Sequence, residues 1–324
     1  MVRNTEVKEL GHFINGKVVA GKSGRFSDVY NPSSGIVIAK VPLATKGEVQ
    51  EAMYAAQKAF PAWRTLSAGK RTEIILRFRS LLTDRKDALI NMICTESGKT
   101  IKEAKGEITQ GLASVDLAIN APHLLKGEYA VNIGGNINAY SAKEPLGVVA
   151  AISPFNFPVM VPLAITSMAI AVGNCVILKP SERVPCSALF LSELWKEAGL
   201  PDGVWTVING DKGTVLELLA NPAIQAISFV GSTPVADIIY TTGSKYGERV
   251  TALRSGTDMV VLTDAELEQA ANAFLGAAYG VASQHCMAIS TIMPVGEETA
   301  NKLSKKWIEQ DNESASSFAF PSNH

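Results

Sequence analysis

The chain of 324 residues is poor in several features that commonly announce a function. Charge of one sign is missing: 30 Lys and Arg stand against 31 Asp and Glu, a formal net charge of −1. That balance offers no field to gather nucleic acid or an anionic membrane, so neither is expected as a partner. Its four cysteines, Cys94, Cys175, Cys186 and Cys286, lie far apart without a CxxC pair. This argues against a zinc site or a disulfide framework, sets the expected metal at none, and fits a reducing, cytoplasmic setting. The opening MVRNTEVKELGHFINGKVV has no apolar core of a secretory signal. One segment lacks charge altogether, for no charged residue lies between Glu144 and Lys179. It is long enough to span a bilayer. However, Pro154, Pro158, Pro162 and Gly173-Asn174 punctuate it, and a strand, helix and strand buried in a parallel sheet accounts for it better.

What is present is ordinary globular material, 47% hydrophobic and 19% charged, enough for two domains. The first 45 residues are expected to be extended, with a hairpin at Asn15-Gly16 in FINGKVV. Thr45 and Glu48 have capping-box spacing before a helical run, and further helices are expected at 72–96 and 100–125. GEYAVNIGGNINAYSAKEPLG reads as a two-stranded excursion around Gly134-Gly135. From GVVAAIS onward, strands alternate with helices across short loops as far as PVADIIYTTGS. Such alternation implies parallel βαβ units, hence an α/β fold with a doubly wound parallel sheet of the nucleotide-binding kind. A second α/β module is expected from about Val250: VVLTD, a helix leading to Cys286, then AISTIMPVG. The segment DNESASSFAFPSNH is polar and aperiodic, so 310–324 are expected to be disordered.

Four short stretches could carry chemistry. In SFVGSTPVA, Gly231 and Ser232 separate an apolar strand from a helix, where free backbone N–H groups could receive a phosphate. An ordinary serine N-cap explains them equally simply, and GxGxxG is absent. In ILKPSERVP, Lys179 and Glu182 follow a strand at the sheet edge where ligands bind in open α/β folds. They could hydrogen-bond ribose hydroxyls, or form a solvated ion pair in a loop. In ISPFNFP, Asn156 could donate its amide N–H₂ to an oxyanion, or be a turn residue. Cys286, in GVASQHCMAIS, is either a nucleophile or a small apolar filler.

PFNFP, ILKPSE, FVGST and a cysteine about fifty residues later occur together in the order and spacing of the aldehyde dehydrogenase superfamily. PFNFPVMVPL, GNCVILKPSERVP and GAAYG…CMAIS resemble its CoA-acylating, methylmalonate-semialdehyde branch, over residues 10–309. The resemblance implies an NAD-binding domain at 1–126 and 147–249, with 127–146 an excursion for oligomer contact, and an incomplete catalytic domain at 250–309. It implies Cys286 as nucleophile and Asn156 as oxyanion donor, with Ser153, Phe155, Lys179, Glu182, Arg183, Gly231 and Ser232 around NAD. A thioester on Cys286 would pass to coenzyme A, giving propionyl-CoA or acetyl-CoA from methylmalonate or malonate semialdehyde with the substrate carboxylate leaving as carbon dioxide. Hydrolytic members carry a glutamate where this chain has Ala252, and the acylating branch lacks it too. Other positions depart from the branch. SGTDM replaces a segment like GAKNH, and His285 and Gln110 stand where arginines approach the substrate carboxylate. Loss of such a clamp is expected to weaken recognition of a carboxylated aldehyde. The resemblance further implies longer, homo-oligomeric proteins whose C-terminal interface strand is expected to be missing from this chain. A truncated remnant that binds NAD without turnover is therefore the alternative expectation.

Overall fold

The computed structural model describes residues 7–254 and 256–315. Ser255 of SGTDM and residues 316–324 of the polar tail lie outside the described residues. The chain divides into two compact units between Leu253 and Arg254.

The first unit begins with short strands, β1 (Lys8–Glu9), β2 (Gly11–Ile14), β3 (Lys17–Ala20), β4 (Phe26–Asn31) and β5 (Ile36–Pro42). β2 and β3 form the hairpin expected at Asn15-Gly16, where both residues take left-handed φ, 49° and 69°. Two positive φ values suit the primed turns whose twist matches a two-residue hairpin. Helix α1 (Lys46–Thr65) opens on the full capping box of Thr45 and Glu48. The helix expected over 72–96 is instead two, α2 (Ala68–Asp84) and α3 (Lys86–Ser97), broken at Arg85. There the Arg85 amide folds back onto Leu81 and Thr83 with no glycine or proline to mark the stop. The stretch over 100–125 likewise divides at Asn120 into α4 (Ile101–Ile119) and α5 (Ala121–Leu124). The excursion that follows pairs β6 (Tyr129–Ala130) with β7 (Ala139–Tyr140) and leaves Tyr129, Val131, Ile133, Ile137 and Tyr140 exposed.

The alternating region then runs β8 (Val148–Ile152), α6 (Met160–Ala171), β9 (Cys175–Lys179), α7 (Cys186–Glu197), β10 (Trp205–Val207), α8 (Lys212–Leu219), β11 (Ile224–Gly231), α9 (Thr233–Lys245) and β12 (Arg249–Arg254). Its sheet has the order β12-β11-β8-β9-β10-β2-β3. β11, β8, β9 and β10 pair in parallel, and the antiparallel β2–β3 hairpin extends the sheet at the β10 edge. The charge-free segment supplies β8, α6 and β9 in its middle, and no helix among the described residues is long and apolar enough to cross a membrane. The last carbonyls of α6 have no partner within the helix and are met from α1 and α2. Trp63 Nε1 donates to the Ile170 carbonyl at 3.1 Å and Arg71 Nε to the Ala171 carbonyl at 2.8 Å. Beneath α7, Trp195 stacks on Phe78 with ring centroids 3.6 Å apart.

The second unit is a single parallel βαβ unit with one more helix. β13 (Thr257–Val261) pairs in parallel with β14 (Ile289–Pro294) across α10 (Leu267–Tyr279), and α11 (Glu297–Ala315) follows. Its core is small, built on Val261, Ala271, Phe274 and Leu303. Residues 310–315, expected to be disordered, belong to α11. No glycine or proline interrupts the chain there, and Glu and Ala favour helix.

Candidate functional site

Chain order places the site before any side chain is considered. After β8 the chain steps outward through β9 to β10, then returns across β8 to lay down β11 on its other side. Ligands of open α/β sheets bind at such a reversal, beyond the carboxyl ends of the strands. The segments leaving β8 and β11 flank it, with Ser153 to Asn156 after β8 and Gly231-Ser232 at the end of β11; Lys179 ends β9 and the loop after it holds Glu182 and Arg183.

Most of the expected cofactor residues thus meet within one unit. Lys179 is 6% exposed, and its Nζ donates to Glu182 Oε2 at 3.0 Å; the ammonium end of the pair is thus buried while the carboxylate end is partly exposed. Burial works to raise the Glu182 carboxyl, yet Lys179 and the hydrogen bonds it receives hold it below the ordinary range. The Ser153 amide donates to the Lys179 carbonyl at 3.1 Å, joining the two loops. The Ser153 hydroxyl is buried and has no hydrogen-bond partner. An orphaned hydroxyl beside a lysine–carboxylate pair is a donor set suited to ribose and phosphate oxygens, so these residues fit a dinucleotide. The Arg183 guanidinium lies 5.5 Å from the centre of the Phe155 ring. Ser232 occupies the N-cap of α9, but its side chain makes no capping bond, so the ordinary capping role does not account for it. Gly231 has a structural reason of its own, since a Cβ there would come within 2.4 Å of the Phe229 ring. Asn156 is half-buried in the bend between Pro154 and Pro158.

Cys286 lies in the second unit, on the partly exposed segment between α10 and β14. The helix expected to lead to it stops at Tyr279. Gly280–Ser283 then form a short 3-10 turn in which Val281, Ala282 and Ser283 all have positive φ. Its neighbour His285 accepts the Met287 amide at Nδ1, 2.9 Å away, which requires that nitrogen to be unprotonated. The remaining cysteines are poor nucleophiles in place. Burial pushes the Cys175 thiol up to about 12, and raises those of Cys186 and Cys94 as well. Among the described residues no cluster of His, Cys, Asp or Glu could hold a metal ion.

Three residues behind the loops escaped the sequence reading. Glu107 of α4 accepts the Val159 and Met160 amides at 2.8 and 3.1 Å, capping α6, which has no side-chain cap of its own. Its other oxygen pairs with Lys99, whose ammonium also sits 3.8 Å from the centre of the Phe157 ring. Burial pulls Lys99 below its ordinary value in spite of Glu107. Glu96 of α3 accepts the Cys186 amide at 2.8 Å and the Ser187 amide at 3.0 Å, capping α7, which also lacks its own. The available signal was a carboxylate on the buried stripe of each helix, Glu96 after Leu89 and Ile93, Glu107 between Ala104 and Gly111.

An open cavity of about 220 Å³ lies at the opposite, amino end of β11, lined by Ile224, Gln225, Tyr246 and Glu248 among others. Both Glu248 carboxylate oxygens are buried without a hydrogen bond, and burial lifts the group from 4.5 to about 7. The folded state therefore binds this proton more tightly than the unfolded chain, and stability should fall as pH rises from about 4.5 to about 7. Glu248→Gln is expected to remove that fall, leaving the melting temperature at pH 5 unchanged. At pH 8 it should gain on the order of 1 kcal/mol, discounted for partial exposure. Thermal unfolding at the two pH values checks this.

With this geometry in place, comparison with known proteins defines the class. Residues 18–314 match the aldehyde dehydrogenase family, and the chain belongs to it. It is 50% identical over 302 residues to a malonate-semialdehyde dehydrogenase of Pseudomonas aeruginosa, covering 93% of this chain and 61% of that protein. An acylating, mitochondrial methylmalonate-semialdehyde/malonate-semialdehyde dehydrogenase assigned in Dictyostelium discoideum is 42% identical over 297 residues, covering 91% of this chain and 55% of that one. The solved methylmalonate-semialdehyde dehydrogenase of Oceanimonas doudoroffii superposes with a TM-score of 0.91 at 44% identity, covering 95% of this chain and 63% of its own. A Sinorhizobium meliloti protein described as of the same type, and solved with NAD, gives 0.91 at 46%, covering 94% and 62%. The chain thus spans about three fifths of the length of these relatives.

Proposed function

We propose that this chain binds NAD at the carboxyl edge of β8, β9 and β11 and serves the CoA-acylating oxidation of a small aldehyde, malonate or methylmalonate semialdehyde. The observation that carries the reading is buried Lys179 paired with half-exposed Glu182 after β9, next to the orphaned Ser153 hydroxyl after β8, where the sheet reverses. Lys179 and Glu182 would hold ribose hydroxyls, while Ser153, Phe155, Arg183, Gly231 and Ser232 would line the rest of the dinucleotide. NAD, when bound, supplies the hydride acceptor. The Cys286 thiolate adds to the aldehyde carbon, and the Asn156 amide donates to the oxygen on which negative charge develops. Loss of hydride from that carbon leaves an acyl thioester on Cys286. The thiolate of coenzyme A then takes the acyl group and releases the Cys286 thiolate. The relatives' names support the substrate class, and the acylating name of one supports the acceptor. The exposed excursion at 127–146 would serve contact between copies.

The test is NADH formation from NAD with malonate semialdehyde, methylmalonate semialdehyde or propanal, with and without coenzyme A. The expected result is a burst stoichiometric with enzyme, turnover only with coenzyme A, and no signal from Cys286→Ala. Without the arginine clamp, propanal should approach the carboxylated aldehydes in kcat/KM. A folded chain that binds NAD yet gives a flat trace with every aldehyde establishes the alternative, binding without turnover.

A further inference from the structure

Two loops of the proposed site end in helices that cannot cap themselves. The β8 loop, with Ser153, Phe155 and Asn156, runs into α6, whose N-cap Val159 has no side-chain hydrogen bond to offer. The β9 loop, with Lys179, Glu182 and Arg183, runs into α7, whose N-cap is Pro185. A helix start leaves N–H groups that need acceptors, and buried ones are costly to leave unmet. Here each start is met by one buried carboxylate from the helical layer behind the sheet. Glu107, 3% exposed, takes the Val159 and Met160 amides on a single oxygen. Glu96, also 3% exposed, takes the Cys186 and Ser187 amides, one on each oxygen, and the Ser187 hydroxyl besides. Lys99 lies between them in sequence, buried against Glu107 and over the ring of Phe157, the residue next to Asn156.

Capping alone does not require this arrangement, since a Ser or Asp at each N-cap would do it locally. A remote carboxylate does something a local cap cannot. It ties the first turn of the helix, and so the end of the loop before it, to an element packed behind: α4 packs on α6 and α3 on α7. Buried carboxyl oxygens have few alternative partners, so the loop ends are fixed in one arrangement; for Glu96 burial pushes the group up to about 7, and the donors it receives work against that rise. Catalytic and binding groups must be held to within about 0.5 Å to be effective. We infer that Glu107, with Lys99, is the positioning device for the Asn156 loop, and that Glu96 is the separate positioning device for the Lys179–Glu182 loop. The inference rests on the proposed NAD-dependent reading of those loops for its functional arm, but not for its structural one.

The test compares two variants of the full chain. Lys99→Met with Glu107→Leu removes both charges of one device together, keeping volume so that no unpaired charge is buried. Glu96→Gln leaves one oxygen to serve two amides. The first readout is backbone hydrogen exchange under native conditions. In the double variant, Val159 and Met160 should exchange at least about tenfold faster, the equivalent of about 1.4 kcal/mol, with Cys186 and Ser187 unmoved. Glu96→Gln should give the converse pattern. The second readout is functional. Glu96→Gln should raise the Kd for NAD at least tenfold, while the double variant at saturating NAD should slow the NADH burst at least tenfold. Exchange that changes at both helix starts in each variant, or at neither, overturns the inference. So does local exchange that accelerates as expected while NAD affinity and burst rate stay at wild-type values, for then the carboxylates are only structural. A wild-type chain that binds no NAD sinks the proposed function instead, and the exchange pattern alone then upholds or overturns the positioning.

Discussion

Glu107→Leu alone is expected to lower the unfolding free energy by about 3–5 kcal/mol, the range for removing one partner of a buried ion pair. The Lys99 and Glu107 side chains are 2% and 0% exposed, so the lysine cannot reach water when its partner goes. Among the described residues, the face of Phe157 and the more distant Glu103 and Cys94 then remain to face it. Adding Lys99→Met should recover most of the loss, because the desolvation cost of both charges then disappears with their attraction. A residue of about 1–2 kcal/mol should remain from the two α6 amides left without an acceptor. Urea denaturation of the four-member cycle measures all of this. Equal losses for the single and double variants would show that capping, and not the pair, accounts for the stability of this corner.

The same corner explains how much was legible beforehand. Hydrophobic patterning placed the βαβ run well, since strands buried on both faces leave little choice for CVILK or VVAAI. The capping box at Thr45 and the hairpin at Asn15-Gly16 were legible because each is a local interaction among four or five residues. The motif residues fell at strand ends, where the geometry of any open α/β sheet brings them together. What escaped is non-local. The breaks at Arg85 and Asn120 carry no glycine or proline, and packing rather than propensity decides them. Glu107 opens the segment EITQGLAS, in which attention falls naturally on Gln110; nothing in that segment states that a carboxylate there will meet an amide 52 residues away. VTALR lacks a clean alternation that would mark strand β12, and its place at the sheet edge follows from its neighbour β11. Long-range polar contacts are thus the part of the site that sequence pattern renders worst, and in this chain they are what hold the candidate loops.

Ala252→Glu is expected to change the acyl acceptor. Ala252 lies in β12, partly buried against the main core; the resemblance implies a glutamate there in hydrolytic members, and the expectation rests on the proposed reaction. Without a carboxylate there, water must attack the proposed thioester unaided. Water, with a bulk pKa of 15.7, is about seven units weaker an acid than a thiol, so coenzyme A needs no base and water does. A positioned general base contributes about 10²–10⁴-fold, so the variant should raise NADH turnover in the absence of coenzyme A by about 10²-fold. The rate with coenzyme A should change far less, and the coenzyme A-independent rate should acquire a rise with pH as the new carboxylate ionises. Ala252→Gln is the control, matching size and polarity without basicity, and it should leave hydrolysis where it was. If the glutamine variant hydrolyses as fast as the glutamate one, the gain comes from altered packing of β12 and not from base catalysis. If neither hydrolyses while both still form the thioester, something other than the missing carboxylate keeps water out, and the preference for a thiol acceptor has a different origin.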